Sequence, residues 1–494
     1  MKKIGASLLM AGLVSAAAAQ TNAPATRAMS LQDCIAESLA HNFDVRYERY
    51  EPLKAELSLE AAYAGYDPTF NISGAHNYNQ TGGQFVGGLQ HPSQVSDANS
   101  FNTSLGGALP SGLTYNLSGS VAETYGTTGG TPFDSSSGSV GVSATQPLLK
   151  NLWIDGTRLA ISAAKNNLNF SEQGLRQQLI TTVTAVENAF YELIYARENL
   201  NVQQQALDLA QTQLDQDRQR VQVGSLAPLD VQQDEAQVAQ SRANLIAAQY
   251  TLATDRGALI VLITDSYAKL YDLDIVPTTT LEAVRQFSDV QNSWNNGLTS
   301  RPDVLQARVN LEQQGIQLKY DRNQIFPELD LNGSYGFNGS GKEFSDAFGQ
   351  YAQGNRPYYS YGASLSVPLS NLKSRSAYKS DKAVEQQLLL KLKQLEQNVM
   401  LAIYNAVIQV QSDWESVDAT KSARIYAEAA LDAEQKKYAV GKSTTFTVLQ
   451  LQNNLTAARS QEIRALANYN EALANLAEQE GTTLERRNVD VKVK

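Results

Sequence analysis

One cysteine and three histidines in 494 residues leave little from which to build a metal centre or a nucleophilic site. Cys34 lies in an apolar, helix-like run with Leu31, Ile35 and Leu39, so it reads as a small buried side chain and not as a reactive thiol. No catalytic residue, metal site or cofactor is expected. Charge is scarce as well: 18% of residues are charged, against about a quarter in soluble domains, and Gln, Asn, Ser, Thr and Tyr fill the gap. With a net charge of −10 and no basic stripe, nothing displaces counterions from phosphates, which excludes a nucleic-acid partner. Beyond the N-terminal segment no run of 18 apolar residues occurs, so any membrane crossing has to be a closed β-barrel, the other structure that satisfies its backbone in lipid. Proline is confined to positions up to Pro368 and is missing between Pro147 and Pro228. Two long stretches therefore lack the strongest helix breaker, which points to very long helices.

The N-terminus carries Lys2 and Lys3, an apolar core from Ile4 to Val14, and an alanine run ending at Ala19. These are the three parts of an export signal over residues 1–19, with the mature chain starting near Gln20. The rest is duplicated. Leu39, Asp44, Val45, Pro68 and Gly74 recur 259 residues later as Leu298, Asp303, Val304, Pro327 and Gly333. The offset falls to 221 for Gly141, Ser143 and Pro147 against Gly362, Ser364 and Pro368, and to 217 for Gly224 and Val231 against Gly441 and Val448. The first half thus holds about 38 additional residues between its strands. This divides the chain into a first repeat over 20–262, a linker over 263–292, a second repeat over 293–480 and a tail over 481–494.

Each repeat reads helix, strands, long helix, tip, long helix. Strands are expected over about 68–148 and 327–369, where Phe70, Ile72, His76 and Tyr78 alternate with Asn71, Ser73 and Asn77, and Leu329, Leu331 and Tyr335 with Asp330, Asn332 and Ser334. The polar face carries Ser, Asn and Gly where a soluble sandwich would carry Lys and Glu. Aromatics gather at strand ends, at Tyr78, Tyr335, Phe337, Tyr358 and Tyr359, as in an interfacial girdle with lipid outside and water inside. Helical hairpins are expected over 153–262, with a tip at 224–230, and over 371–478, with a tip at 441–447. Leu200, Leu207, Leu214 and Val221 recur every seven residues, as do Val231, Val238, Leu245, Leu252 and Leu259, which defines coiled-coil seams. Such helices cannot bury both faces alone and call for self-association.

The tip sequences, Arg220-Val-Gln-Val-Gly224-Ser-Leu-Ala-Pro-Leu-Asp230-Val231 and Tyr438-Ala-Val-Gly441-Lys-Ser-Thr-Thr-Phe-Thr447, come together with the duplication and with Gln146-Pro147-Leu148-Leu149 at a strand end. In this combination the chain resembles the TolC family of outer-membrane efflux proteins over about residues 28–482. The resemblance implies an α+β membrane protein: a trimeric transmembrane β-barrel, four strands from each copy, continuous with a long α-helical coiled-coil barrel in the periplasm. It implies a non-enzymatic exit duct of a tripartite efflux or type I secretion system. The implied partners are two further copies of the chain, outer-membrane lipid, a periplasmic adaptor and an inner-membrane pump of the RND or ABC type. Adaptor docking falls on the tips, at Gly224, Ser225, Gly441, Lys442 and Ser443.

The family's latch pairs a Tyr three residues before the second tip glycine with an Asp six residues after the first; these are Tyr438 and Asp230. A second family latch uses an Arg where this chain has Ser443, and the acidic ring of the family's entrance falls on Thr447 and Gln450. Asp234, one helical turn beyond Asp230, is the residue left to supply a replacement ring. Between Phe101 and Val121 lies an additional alternating pair around Pro110-Ser111-Gly112; it is either two further barrel strands, giving six per copy and a wider trimer barrel, or an extracellular hairpin, the reading that its Gly-, Ser- and Thr-rich flanks favour. An exported coiled-coil protein without a pore is the rival reading, and it leaves the duplicated strands unexplained. A secreted enzyme on a helical scaffold finds no catalytic cluster.

Overall fold

The computed structural model describes residues 26–91, 93–286 and 289–489; the expected signal peptide, residues 1–19, lies outside the described residues. The chain divides into two compact units. One combines the residues up to Asn42 with Thr182–Arg285 and Val410–Ala474, and the other combines Phe43–Thr181, Gln286–Gln409 and the residues from Asn475.

Chain order makes the duplication visible. The first half runs β1 (Thr26–Met29), α1 (Leu31–His41), α2 (Phe43–Glu48), α3 (Tyr50–Tyr63), β2 (Thr69–Thr81), β3 (Gln84–Val86), β4 (Leu89–His91), β5 (Gln94–Ala108), β6 (Thr114–Thr128), β7 (Thr131–Pro147), α4 (Gly156–Gln222) and α5 (Pro228–Ile263). A connecting α6 (Tyr267–Leu270) and β8 (Asp274–Pro277) lead to the second half, which runs α7 (Val290–Ser300), α8 (Pro302–Gln324), β9 (Glu328–Gly341), α9 (Phe344–Ala352), β10 (Pro357–Ser366), α10 (Leu372–Ala439), α11 (Thr445–Glu480) and a terminal α12 (Thr483–Arg486). The counterparts α4 and α10 have 67 and 68 residues, and α5 and α11 have 36 each.

The unit holding the strands is built on one antiparallel sheet in the order β10-β9-β7-β6-β5-β2. A single row of residues crosses all six strands in register: Phe70, Leu105, Leu117, Val142, Tyr335 and Tyr359. The row beside it reads Asn71, Ser104, Ser118, Gly141, Gly336 and Tyr358. Since successive side chains point to opposite faces, one face of the sheet is apolar and the other small and polar. Much of the apolar face is uncovered in the single chain, with Ile72 76% and Tyr361 86% exposed.

Two expectations are corrected here. The segment 101–121 is not a free extracellular hairpin, because β5 and β6 pair along their lengths with β2 and β7 inside the sheet. Its Gly/Ser/Thr-rich flanks are strand as well, and their small residues supply the polar face. Tyr358 also leaves the proposed girdle: its ring lies over Gly141 and Gly336, on the polar face.

Helix α9 has no sequence-based expectation. Phe344, Ala347, Phe348 and Tyr351 fall on one helical face, and the helix packs on the apolar side of the sheet, with Phe344 edge-on to Phe101 at 5.6 Å and Ala347 fully buried. Glycine makes the seat. A Cβ at Gly339 would collide with the Ala347 carbonyl, and one at Gly138 would crowd Tyr351. Gly339→Val is therefore expected to dislodge α9 while leaving the sheet paired, seen as faster proteolysis between residues 342 and 356 with unchanged β-signal in circular dichroism. Equal protease resistance in variant and parent would refute this seat.

In the other unit the seams face inward. Leu207, Leu214, Leu245 and Leu259 are buried, and Leu200, Val221, Val231, Val238 and Leu252 are half-buried. Polar side chains join the hairpins between seams: Gln237 and Asn453 exchange hydrogen bonds of 2.7 and 3.0 Å, and Arg464 clasps both carboxylate oxygens of Glu192 at 2.6 and 2.8 Å. Cys34 is buried, and desolvation pushes its thiol up to about 12, so the side chain is packing and not chemistry.

Candidate functional site

Both tips use the same stop signal. Gly224 and Gly441 adopt φ of +75° and +72°, the left-handed conformation that glycine takes without a Cβ penalty. Around them the backbone closes alike, from Ser225 N–H to Arg220 C=O at 2.9 Å and from Lys442 N–H to Lys437 C=O at 2.9 Å. Pro228 at the start of α5 has no N–H to waste there.

Just inside the tips the four long helices converge on one buried polar cluster. The Tyr438 hydroxyl, from α10, lies 2.8 Å from both carboxylate oxygens of Asp217, on α4, and 2.9 Å from the Thr445 hydroxyl, on α11. Gln213 Nε2 donates to Asp217 at 2.7 Å, and Arg220 comes within 3.7 Å of the same carboxylate with its guanidinium over the Tyr438 ring at 4.5 Å. Leu431, Val448 and Leu455 pack against Tyr438 and seal the cluster. Asp234, from α5, completes it: the residue is 1% exposed, and neither carboxyl oxygen receives a hydrogen bond from a donor. Burial first, then the neighbouring Asp217 charge and that of Asp230, push its carboxyl up to about 7. Asp217 accepts from Tyr438 and Gln213, whereas Asp234, beside it, has no such donor to stabilise a charge.

The residues expected at this site divide accordingly. The Tyr438 hydroxyl bonds Asp217 on α4 and not Asp230 on α5. Asp230 stays half-buried in the first turn of α5. Asp234 cannot form a charged ring at the entrance, since it is buried and holds its proton to about pH 7. Ser443 donates to Glu434 at 2.6 Å; together with Lys437 it holds the Glu434 carboxyl below its ordinary range. Thr447 shares a 3.0 Å hydrogen bond with Thr444 in the first turn of α11, and Gln450 is exposed. Gly224, Ser225, Gly441 and Lys442 are exposed at the tips. Around them stand four uncovered apolar side chains that sequence reading passed over: Val223, Leu229, Val440 and Phe446, from 64 to 79% exposed. Their signal was there, as apolar residues flanking each tip glycine in a segment with no core to face.

The geometry can be set beside known proteins. The family model described as outer membrane efflux protein matches twice, over residues 34–264 and 294–482, once on each repeat. The outer membrane protein TolC of Escherichia coli K12 is 25% identical over 299 residues, covering 58% of this chain and 59% of that protein. The pyoverdine export outer membrane protein OpmQ of Pseudomonas aeruginosa is 24% identical over 333 residues, 66% of each. The aligned part of the chain thus spans between 59 and 66% of the length of these two relatives. Among solved structures, the Campylobacter jejuni CmeC outer membrane channel superposes with a TM-score of 0.66 at 15% identity, over 92% of this chain and 86% of that one. The open state of the Neisseria gonorrhoeae MtrE outer membrane channel gives 0.65 at 18% identity, over 92% and 89%.

Proposed function

Because the chain belongs to the outer membrane efflux protein family, we propose that it is the outer-membrane exit duct of a tripartite efflux or type I secretion system. It works as a homotrimer. The observation that carries this reading is the sheet itself. Among the described residues its edge strands, β2 and β10, have no neighbour on their outer sides, its apolar face is bare outside the patch under α9, and its polar face is lined with Ser, Asn and Gly. Unpaired edges and bare apolar faces are costly in lipid, and further copies, joined β2 to β10 in a ring, remove both costs and enclose a polar lumen. Strand direction permits it, since β2 and β10 run opposite ways.

The helices support the same assembly. A window of α5 reaches a mean hydropathy of 1.2, yet its apolar residues fall into two sets: the buried seam, and a bare stripe of Ile246, Tyr250 and Val261. Leu401, Tyr404 and Ile408 form another bare stripe on α10. Neighbouring protomers cover these stripes. The apolar ring of Val223, Leu229, Val440 and Phe446 at the tips receives the periplasmic adaptor, through which an inner-membrane pump delivers cargo. The duct supplies no energy and no chemistry, and the Tyr438–Asp217 cluster holds its periplasmic end closed.

Detergent-extracted outer membranes are expected to yield heat-modifiable trimers that conduct ions in planar bilayers. A protein recovered soluble from the periplasm, without conductance, would eliminate the duct and leave the coiled-coil spacer.

A further inference from the structure

The family resemblance supplies four strands per protomer; the sheet has six. We infer that the β5–β6 hairpin is part of the membrane wall and sets the bore of the exit, so that the closed trimeric barrel has eighteen strands. The inference rests on the trimeric duct proposed above and adds a property that the resemblance does not carry.

Four observations place the hairpin in the wall. Its strands have 15 residues each, where about 9–11 suffice to cross a bilayer. They sit between β2 and β7 in continuous register, so removing them from the wall would break two ladders of 13 and 15 paired residues. Leu105 and Leu117 fall in the same cross-strand row as Phe70 and Val142, and Phe101 and Val121, paired with Gly74 and Gly138, lie on the same face. Finally, the turn joining them is held at the helix-side end of the sheet. Gln146, next to the end of β7, donates to the Ser111 carbonyl at 3.1 Å, and Gly112 lies against the Asn151 carbonyl at the approach to α4. An external hairpin would have its turn and its polar residues at the opposite end. Here the polar residues toward that end, Asn99 and Asp97, stand level with His76 and Tyr78 of β2.

Barrel diameter grows roughly linearly with strand number, so eighteen strands give about 1.5 times the diameter and about twice the cross-section of a twelve-stranded barrel. The outer-membrane segment then has the strand count at which barrels leave an open aqueous channel. Selection by size falls to the periplasmic tips, and the exit passes hydrated polymers that a twelve-stranded barrel would hold back.

Single cysteines in a Cys34→Ser background, labelled with bimane and placed in liposomes containing nitroxide-labelled lipid, test the wall. Leu117→Cys is expected to be quenched by the lipid, as Val142→Cys on β7 is, while Ser118→Cys escapes quenching and reacts with a water-soluble maleimide. If Val142→Cys is quenched but Leu117→Cys is not, the hairpin lies outside the membrane and the inference falls while the duct stands. If neither is quenched, the membrane reading itself has failed. For the bore, poly(ethylene glycol) added to the extracellular side of channels opened by Tyr438→Phe is expected to enter at a hydrodynamic radius about 1.5 times larger in the full chain than in a variant lacking residues 94–130. Equal cut-offs in two trimeric channels would overturn the assignment of bore to β5–β6.

Discussion

Tyr438→Phe is expected to raise single-channel conductance in planar bilayers severalfold, by loosening the tip without disturbing the rest of the chain. The substitution removes one oxygen. That oxygen joins α10 to α4 through Asp217 and to α11 through Thr445, in a cluster closed off from water. A hydrogen bond to a charged group is worth about 1.5–3 kcal/mol, which shifts an opening equilibrium roughly ten- to hundredfold in each copy. Asp217→Asn should act in the same direction, since the carboxylate is the other half of the bond. Asp230→Ala should do little by comparison, because Tyr438 bonds elsewhere. Conductance unchanged in Tyr438→Phe and Asp217→Asn, or raised only in Asp230→Ala, would remove the buried cluster from the gate and restore the family's latch.

The second expectation concerns pH. The Asp234 carboxyl is raised in the fold from 3.8 to about 7, so between those values the folded tip binds a proton that the opened one releases. Stability of the closed tip from this group is therefore complete at acid pH and is lost as pH rises through about 7. Above it two carboxylates face each other, with Arg220 as the cation beside Asp217 and Asp230 adding repulsion. Open probability should climb between about pH 4 and pH 7 and level off above that. Asp234→Asn, which is uncharged throughout, should stay closed across that range. A variant that follows the parent's pH curve would show that another group titrates.

Much of this was legible in the sequence. Periodicity found the strands and the seams, and the matched glycines found the two tips, because these features depend on near neighbours along the chain. What stayed hidden depends on distant partners. The alternation of Phe101, Leu105, Leu117 and Val121 is the same in a free hairpin as in a barrel wall; only pairing with Phe70 and Val142 separates the two. Asp217 lies on α4, thirteen residues before Asp230, and nothing local tells which carboxylate the rotation of four helices will bring to Tyr438. The helix α9 was concealed inside a stretch already assigned to strands, although Phe344, Ala347, Phe348 and Tyr351 carry its period.

The inserted hairpin also limits how such a duct can change size in evolution. Entry and return on the same side of the membrane require an even number of strands in each copy, so a lone strand could not be gained without stranding the following helix outside the cell. One hairpin is the smallest permitted step, and threefold repetition turns it into six strands at a stroke. Exit bores in this architecture are consequently quantised, and the roughly 38 additional residues between the strands of the first repeat correspond to a single increment.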